Sequence, residues 1–171
     1  MQTKQLADSE TNQAQPTMAF DSRQIANHFI RFAKNDHRFV FVTAIMKQVY
    51  IAHGWTLALV DRPLIGDRIE AWRYGPVIPA IYYNFRGGQV FFNIDQEMMN
   101  DAEESIVQQV YDIYGDMSAR QLTSITHAPG GPWDVVTKAQ GLIIPDSLIK
   151  SYYLEKKRAA EQNDREYAAN S

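Results

Sequence analysis

The sequence predicts a mainly α fold, a compact single-domain helical bundle of six or seven helices with one small β-hairpin-like element, and three observations carry that prediction. Apolar residues recur at helical spacing in most segments between turn residues. Helix-start signatures precede several of those segments, among them Ser118 with Gln121 three positions on. Strand-like alternation occurs in one place, where Asp67, Ile69 and Ala71 interleave with Arg68, Glu70 and Trp72.

Taken in order, residues 1–18 are rich in Gln, Thr, Ser and Asn without periodicity and read as a flexible tail. Asp21 and Gln24 have capping-box spacing, and Ile25, Phe29, Phe32 and Ala33 form the face of a helix to about Asn35. From Phe41 to Leu59 a second helix is apolar around most of its circumference, as a helix surrounded by others must be, and is the expected central helix. Asp61-Arg62-Pro63 ends it, and Leu64 to Trp72 contains the strand or hairpin. Gly75-Pro76 suits a tight reversal. Pro79 then fits the first turn of a helix through Arg86, ended by Gly87-Gly88. Asn100 or Asp101 caps a helix to Tyr114, with acidic residues in its first turn where the dipole favours them, and Gly115 closes it. Ser118 opens a helix that stops before HAPGGPW; a short Trp133–Ala139 helix and a last one from about Asp146 into SLIKSYYLEKKR follow. The expected domain spans 19–158, and the polar stretch 159–171 is expected to fray.

Composition narrows the function. With 171 residues and 45% hydrophobic content, one sizeable core is affordable. Cysteine is absent, which removes disulfides, thiolate metal sites and thiol nucleophiles and agrees with a reducing cytoplasm. A formal net charge of -3 provides no global basic field, which argues against nucleic acid as a partner; KSYYLEKKR, with Lys150, Lys156, Lys157 and Arg158, is the single basic cluster. The N-terminus lacks an apolar signal core, and the longest apolar stretches are interrupted by Lys47, Gln48, His53 and Thr56, so no membrane association or export is expected.

No catalytic device is visible. The four histidines, His28, His37, His53 and His127, lack the i, i+3 or i+4 pairing that places two metal ligands on one helix face, so no metal or other cofactor is expected. Neither a nucleophile elbow nor a phosphate-cradling glycine loop occurs. An enzyme would require His53, His127 and a carboxylate such as Glu70 to converge. His53, in a nearly all-apolar helix, reads instead as a buried, hydrogen-bonded imidazole. Large aromatics are the chemistry that remains: Trp55, Trp72, Tyr74, Tyr82, Tyr83, Phe85 and Trp133 serve either a core or a binding surface.

The order and spacing of AHGW (52–55), EAWRYGPV (70–77), a Tyr114-Gly115 helix end, SARQLTSITH (118–127) and GPW (131–133) resemble the Panacea domain, the family of SocA-like and phage-associated proteins best known as antitoxins. The resemblance runs from about Ile25 to Tyr153. It implies a compact helical domain with a small β element, in which His53, Gly54, Trp55, Glu70, Gly75, Pro76, His127, Pro132 and Trp133 form the structural motif. It also implies a non-enzymatic antitoxin that neutralises a cognate toxin protein by direct contact. A proteolytic adaptor that delivers the toxin to a cytoplasmic protease, and a repressor of its own operon, are the alternatives; a homodimer is compatible with either. The expected partner-binding residues are Trp72, Arg73, Tyr74, Tyr82, Tyr83 and Arg86, set on a corner that packs against the His53–Trp55 end of the central helix.

Overall fold

The computed structural model describes residues 19–85 and 91–170. Helix α1 spans Ser22–Asn35, α2 Val42–Val60, α3 Pro79–Tyr82, α4 Asp101–Tyr114, α5 Ala119–Thr126, α6 Pro132–Lys138 and α7 Asp146–Ala169, with strands β1 (Glu70–Trp72) and β2 (Gly75–Val77) between α2 and α3. The fold is mainly α, seven helices and a two-stranded antiparallel sheet among the described residues. Helix α2 is its axis, touching α1, α3, α4, α5, α7 and β2. Its fully buried Val49, Tyr50, Ile51 and Ala52 show why a helix without a polar face is stable here: every side has a neighbour to cover it.

Local signals place the helix starts. Asn100 with Glu103, and Ser118 with Gln121, form complete capping boxes, each satisfying two of the N–H groups that a helix leaves unpaired at its start. Asp21 caps Arg23 N–H, but the expected box with Gln24 is not made. Gln24 is buried, and its amide pairs with the backbone of Glu97 instead, donating to the carbonyl at 2.5 Å and accepting from N–H at 3.0 Å. Asn27, one turn on, clasps Phe92 in the same way, at 3.0 and 2.7 Å. A non-helical segment crossing the core surface needs partners for its main chain, and these two amides supply them.

Three expectations are corrected. The reversal after β1 falls at Arg73–Tyr74 rather than Gly75-Pro76: β1 and β2 pair as Glu70↔Val77, Ala71↔Pro76 and Trp72↔Gly75, which leaves two residues in the turn. Helix α3 is one turn ending at Tyr82 rather than reaching Arg86, which, like Gly87-Gly88 and the tail 1–18, lies outside the described residues. Helix α7 continues past the expected boundary at Arg158 to Ala169, with every residue from Arg158 to Ala169 exposed. Beyond the hairpin, an isolated bridge joins Glu70 to Ile143, so the chain before α7 covers the free edge of β1. Ala71 N–H donates to Leu142 at 2.7 Å and Ile144 N–H to Ile69 at 2.9 Å, an edge pairing that sequence alternation did not reveal.

Candidate partner-binding site

The hairpin and the single-turn helix after it carry a cluster of three rings. Trp72 meets Tyr82 at 5.2 Å and Tyr83 at 6.0 Å, and Tyr82 meets Tyr83 at 5.3 Å, edge-on or tilted as aromatic quadrupoles prefer. Trp72 is half-buried, whereas Tyr74 is 72%, Tyr82 43% and Tyr83 70% exposed. Arg73 is exposed too, its guanidinium 5.4 Å from the centre of the Tyr74 ring. An open groove of about 320 Å³ runs beside the cluster, lined by Asp67, Arg68, Pro79, Ala80, Tyr83 and Asn84.

Glu70 organises this surface. Its carboxylate is buried and accepts from the Trp72 indole N–H at 2.6 Å and from Arg68 Nε at 2.7 Å. Those two donors, the indole first, hold its carboxyl below the usual glutamate range. Because the folded value is depressed, the stabilisation is complete above the ordinary glutamate pKa and is lost as pH falls through the folded one. Melting temperatures measured from pH 6 down to pH 2, roughly the carboxylate range and its surroundings, should fall more steeply for the wild type than for Glu70→Gln. Parallel curves would show that Glu70 does not contribute.

Behind the hairpin, Trp133 donates its indole N–H to the Trp72 carbonyl at 2.8 Å and stacks flat on His127, with centroids 3.7 Å apart. Lys47 of α2, itself buried, donates to the Tyr74 carbonyl at 3.3 Å. Gly75 adopts φ +122°, a conformation that favours glycine, and a Cβ there would make tight contacts, 3.0 Å from His127 Nε2 and 3.1 Å from Lys47 Nζ. His127 Nε2 has no partner at good hydrogen-bond geometry. Burial holds this ring below the ordinary histidine range, the nearby Tyr74 carbonyl opposing and the Lys47 cation adding to the effect. Burial likewise lowers the Lys47 ammonium. In the sequence Lys47 is only an interruption of an apolar stretch; a lone lysine in an otherwise buried helix was the available signal of its place here.

The expected motif residues thus divide between two places. Glu70, Gly75, Pro76, His127, Pro132 and Trp133 gather around the hairpin, with Pro132 in the first turn of α6. His53, Gly54 and Trp55 lie elsewhere on α2, so the corner does not pack against them as anticipated. Gly54 faces Tyr153 of α7, and Trp55, half-buried, meets the same ring at 5.2 Å. His53 is fully buried: Nε2–H donates to Asp146 at 2.8 Å, while Nδ1 accepts from Leu64 and Ile65 N–H at 3.2 and 3.3 Å. The three groups that an enzyme would require are therefore engaged in separate contacts. Among the described residues no group of three or more acidic or histidine side chains is arranged to hold a metal, and no helix is long and apolar enough to cross a membrane. In the basic cluster, Lys150 pairs with Asp61, Lys157 with Glu161, and Lys156 lies over the Tyr152 ring.

Among the described residues, then, the helical domain presents an exposed aromatic corner on its hairpin and single-turn helix. Residues 45–134 match the family described as Antitoxin SocA-like, Panacea domain, and the chain belongs to that family. It is 30% identical over 160 residues to Antitoxin SocA of Caulobacter vibrioides (strain NA1000 / CB15N), a match covering 81% of this chain and 85% of the relative. No solved structure matches it significantly.

Proposed function

We propose that this protein is a non-enzymatic antitoxin that neutralises a cognate toxin protein by binding it through the corner formed by Trp72, Arg73, Tyr74, Tyr82 and Tyr83. Arg86, which follows this corner in the chain and lies outside the described residues, is included on sequence grounds. The observation that carries the reading is the exposed three-ring cluster, held in place by the buried Glu70 carboxylate on a hairpin. Tyr, Trp and Arg supply most hot-spot energy in protein interfaces, and rings fixed before binding lose little entropy on association. Membership of an antitoxin family gives the partner its class.

The test is co-expression with the product of the adjacent gene, scored by bacterial growth and by pull-down. The wild type is expected to restore growth in a stable complex burying on the order of 1,200–2,000 Å². Tyr82→Ala/Tyr83→Ala should lose rescue and association together while remaining folded, with a stability loss of at most about 2 kcal/mol, because Tyr83 is largely exposed and Tyr82 43% exposed. His127→Ala, provided that it folds without its stack on Trp133, should still protect, since no chemistry is assigned to it. Rescue without association, or a folded His127→Ala protein that binds the toxin without protecting, would point to catalysis and overturn the binding model.

A further inference from the structure

The Arg73–Tyr74 turn is braced from beneath at both shoulders. The carbonyl before Arg73 accepts from the Trp133 indole and the carbonyl of Tyr74 accepts from Lys47 Nζ. Gly75 leaves room that a Cβ would take up beside Lys47 and His127, and the Trp133 ring stacks on His127. The backbone of this two-residue turn is thus tied to α2, to α6 and to the end of α5, while its two side chains point away exposed. The turn is thus held from below by two hydrogen bonds while both of its side chains remain open to a partner.

Charge sets the chemistry of that partner's surface. Arg73 forms no ion pair among the described residues; its recorded contact is with the Tyr74 ring. Acidic side chains of the surrounding elements are already engaged: Glu70 by Arg68 and Trp72, Asp67 by Ser22 N–H at 2.6 Å, and Asp134 by Lys138 and Gly130 N–H. Lys47 places a second cation behind the turn. Arg73 and Lys47 are thus two cations at the turn with no ion pair among the described residues, on a chain whose net charge is -3.

We infer that the Arg73–Tyr74 tip is a preorganised probe that enters a carboxylate-lined cleft of the partner protein, with the Arg73 guanidinium meeting a carboxylate and the Tyr74 ring packing on the cleft wall. This rests on the proposed toxin-binding role and adds the mode of recognition and the chemistry of the partner's surface. A guanidinium presents parallel donors that match a carboxylate in geometry as well as charge, which an ammonium cannot reproduce. Bracing the turn in advance removes the ordering cost that a free loop would meet on binding.

The experiment is calorimetric titration of the purified adjacent-gene product against purified variants at several salt concentrations. Arg73→Glu is expected to weaken binding about 100-fold and Arg73→Lys about tenfold, with the salt dependence of the wild type flattened in Arg73→Ala. Lys47→Met keeps the side-chain length but removes the buried cation and its bond to the Tyr74 carbonyl. It should melt at or above the wild-type temperature, because an unpaired buried charge is gone, and yet bind roughly tenfold more weakly, because the tip is no longer braced. A simple packing role would move both readouts in the same direction. Arg73→Glu binding within about twofold of the wild type overturns the inserted tip, and if Tyr82→Ala/Tyr83→Ala still loses binding, the broader toxin-binding reading stands without it. Unchanged affinity in Lys47→Met overturns the bracing on which the inference depends. Failure of the wild type itself to bind overturns both readings.

Discussion

His53→Ala is expected to destabilise the protein by roughly 3–5 kcal/mol, combining a cavity in the core with main-chain donors left unpaired. The imidazole is fully buried and joins three parts of the chain: its own helix α2, the Leu64–Ile65 segment through Nδ1, and Asp146, the first residue of α7, through Nε2–H. Two N–H groups converging on one ring nitrogen require that nitrogen to be an acceptor, which assigns the proton to Nε2 and makes Asp146 its acceptor. Denaturant unfolding measures the loss. His53→Phe separates the two contributions, since a phenyl ring roughly fills the space but accepts nothing; it should recover only the cavity part. A loss below about 1 kcal/mol for His53→Ala would mean that water or a rearranged backbone serves Leu64 and Ile65 equally well. Neither substitution touches the proposed toxin surface, so whatever fraction remains folded should still bind.

One residue further along α2, Gly54→Ala is expected to cost about 1–3 kcal/mol, against the sign of helix propensity, which alone would favour alanine by about 1 kcal/mol. A Cβ at Gly54 would overlap the Tyr153 ring at Cε2. Tyr153 cannot swing aside, because its buried ring is held by Tyr50, Trp55 and Tyr152, with centroids 6.4, 5.2 and 5.5 Å away. Glycine is what allows α7 to approach α2 so closely. Gly54→Val should be worse, since its added methyls meet the same ring. Thermal melts of Gly54→Ala, Tyr153→Leu and the double variant provide the check: removing the ring should relieve most of the alanine penalty, giving a coupling that independent sites would not show. Full additivity would place the strain elsewhere. Trp55, on the same face, is only half-buried, so its truncation should cost less than the 3–5 kcal/mol characteristic of a fully buried tryptophan.

The two α2 residues just discussed show what could be read in advance. A histidine within an apolar helix announces a buried imidazole in need of partners, but nothing in the sequence names Leu64, Ile65 or Asp146 as those partners. The aromatic corner was legible as a group of residue types, and its placement against α2 was not: the sequence reading put it beside His53–Trp55, whereas Lys47 receives it and α7 covers Gly54 and Trp55. Helix α7 was expected to run through SLIKSYYLEKKR and end near Arg158. It continues to Ala169 as an exposed helix, because continuing a formed helix requires ordering only one more residue for each added hydrogen bond.

What the sequence determined by itself is whatever is settled within about one helical turn. The capping box of α5, the Asn100 cap of α4, the apolar circumference of α2 and the proline start of α3 depend on residues within a turn of one another, and the single strand-forming stretch on residues two apart, where backbone geometry alone dictates which groups meet. Tertiary structure decided the rest. Gln24 had the spacing for a cap with Asp21 but serves Glu97, 73 residues away, and Ile143 joins the edge of β1 across a comparable stretch of chain. A buried main-chain N–H or C=O left unpaired costs more than a surface cap is worth, so the nearest competent side chain in the folded protein takes the role, and which one is nearest is known only once the helices have packed.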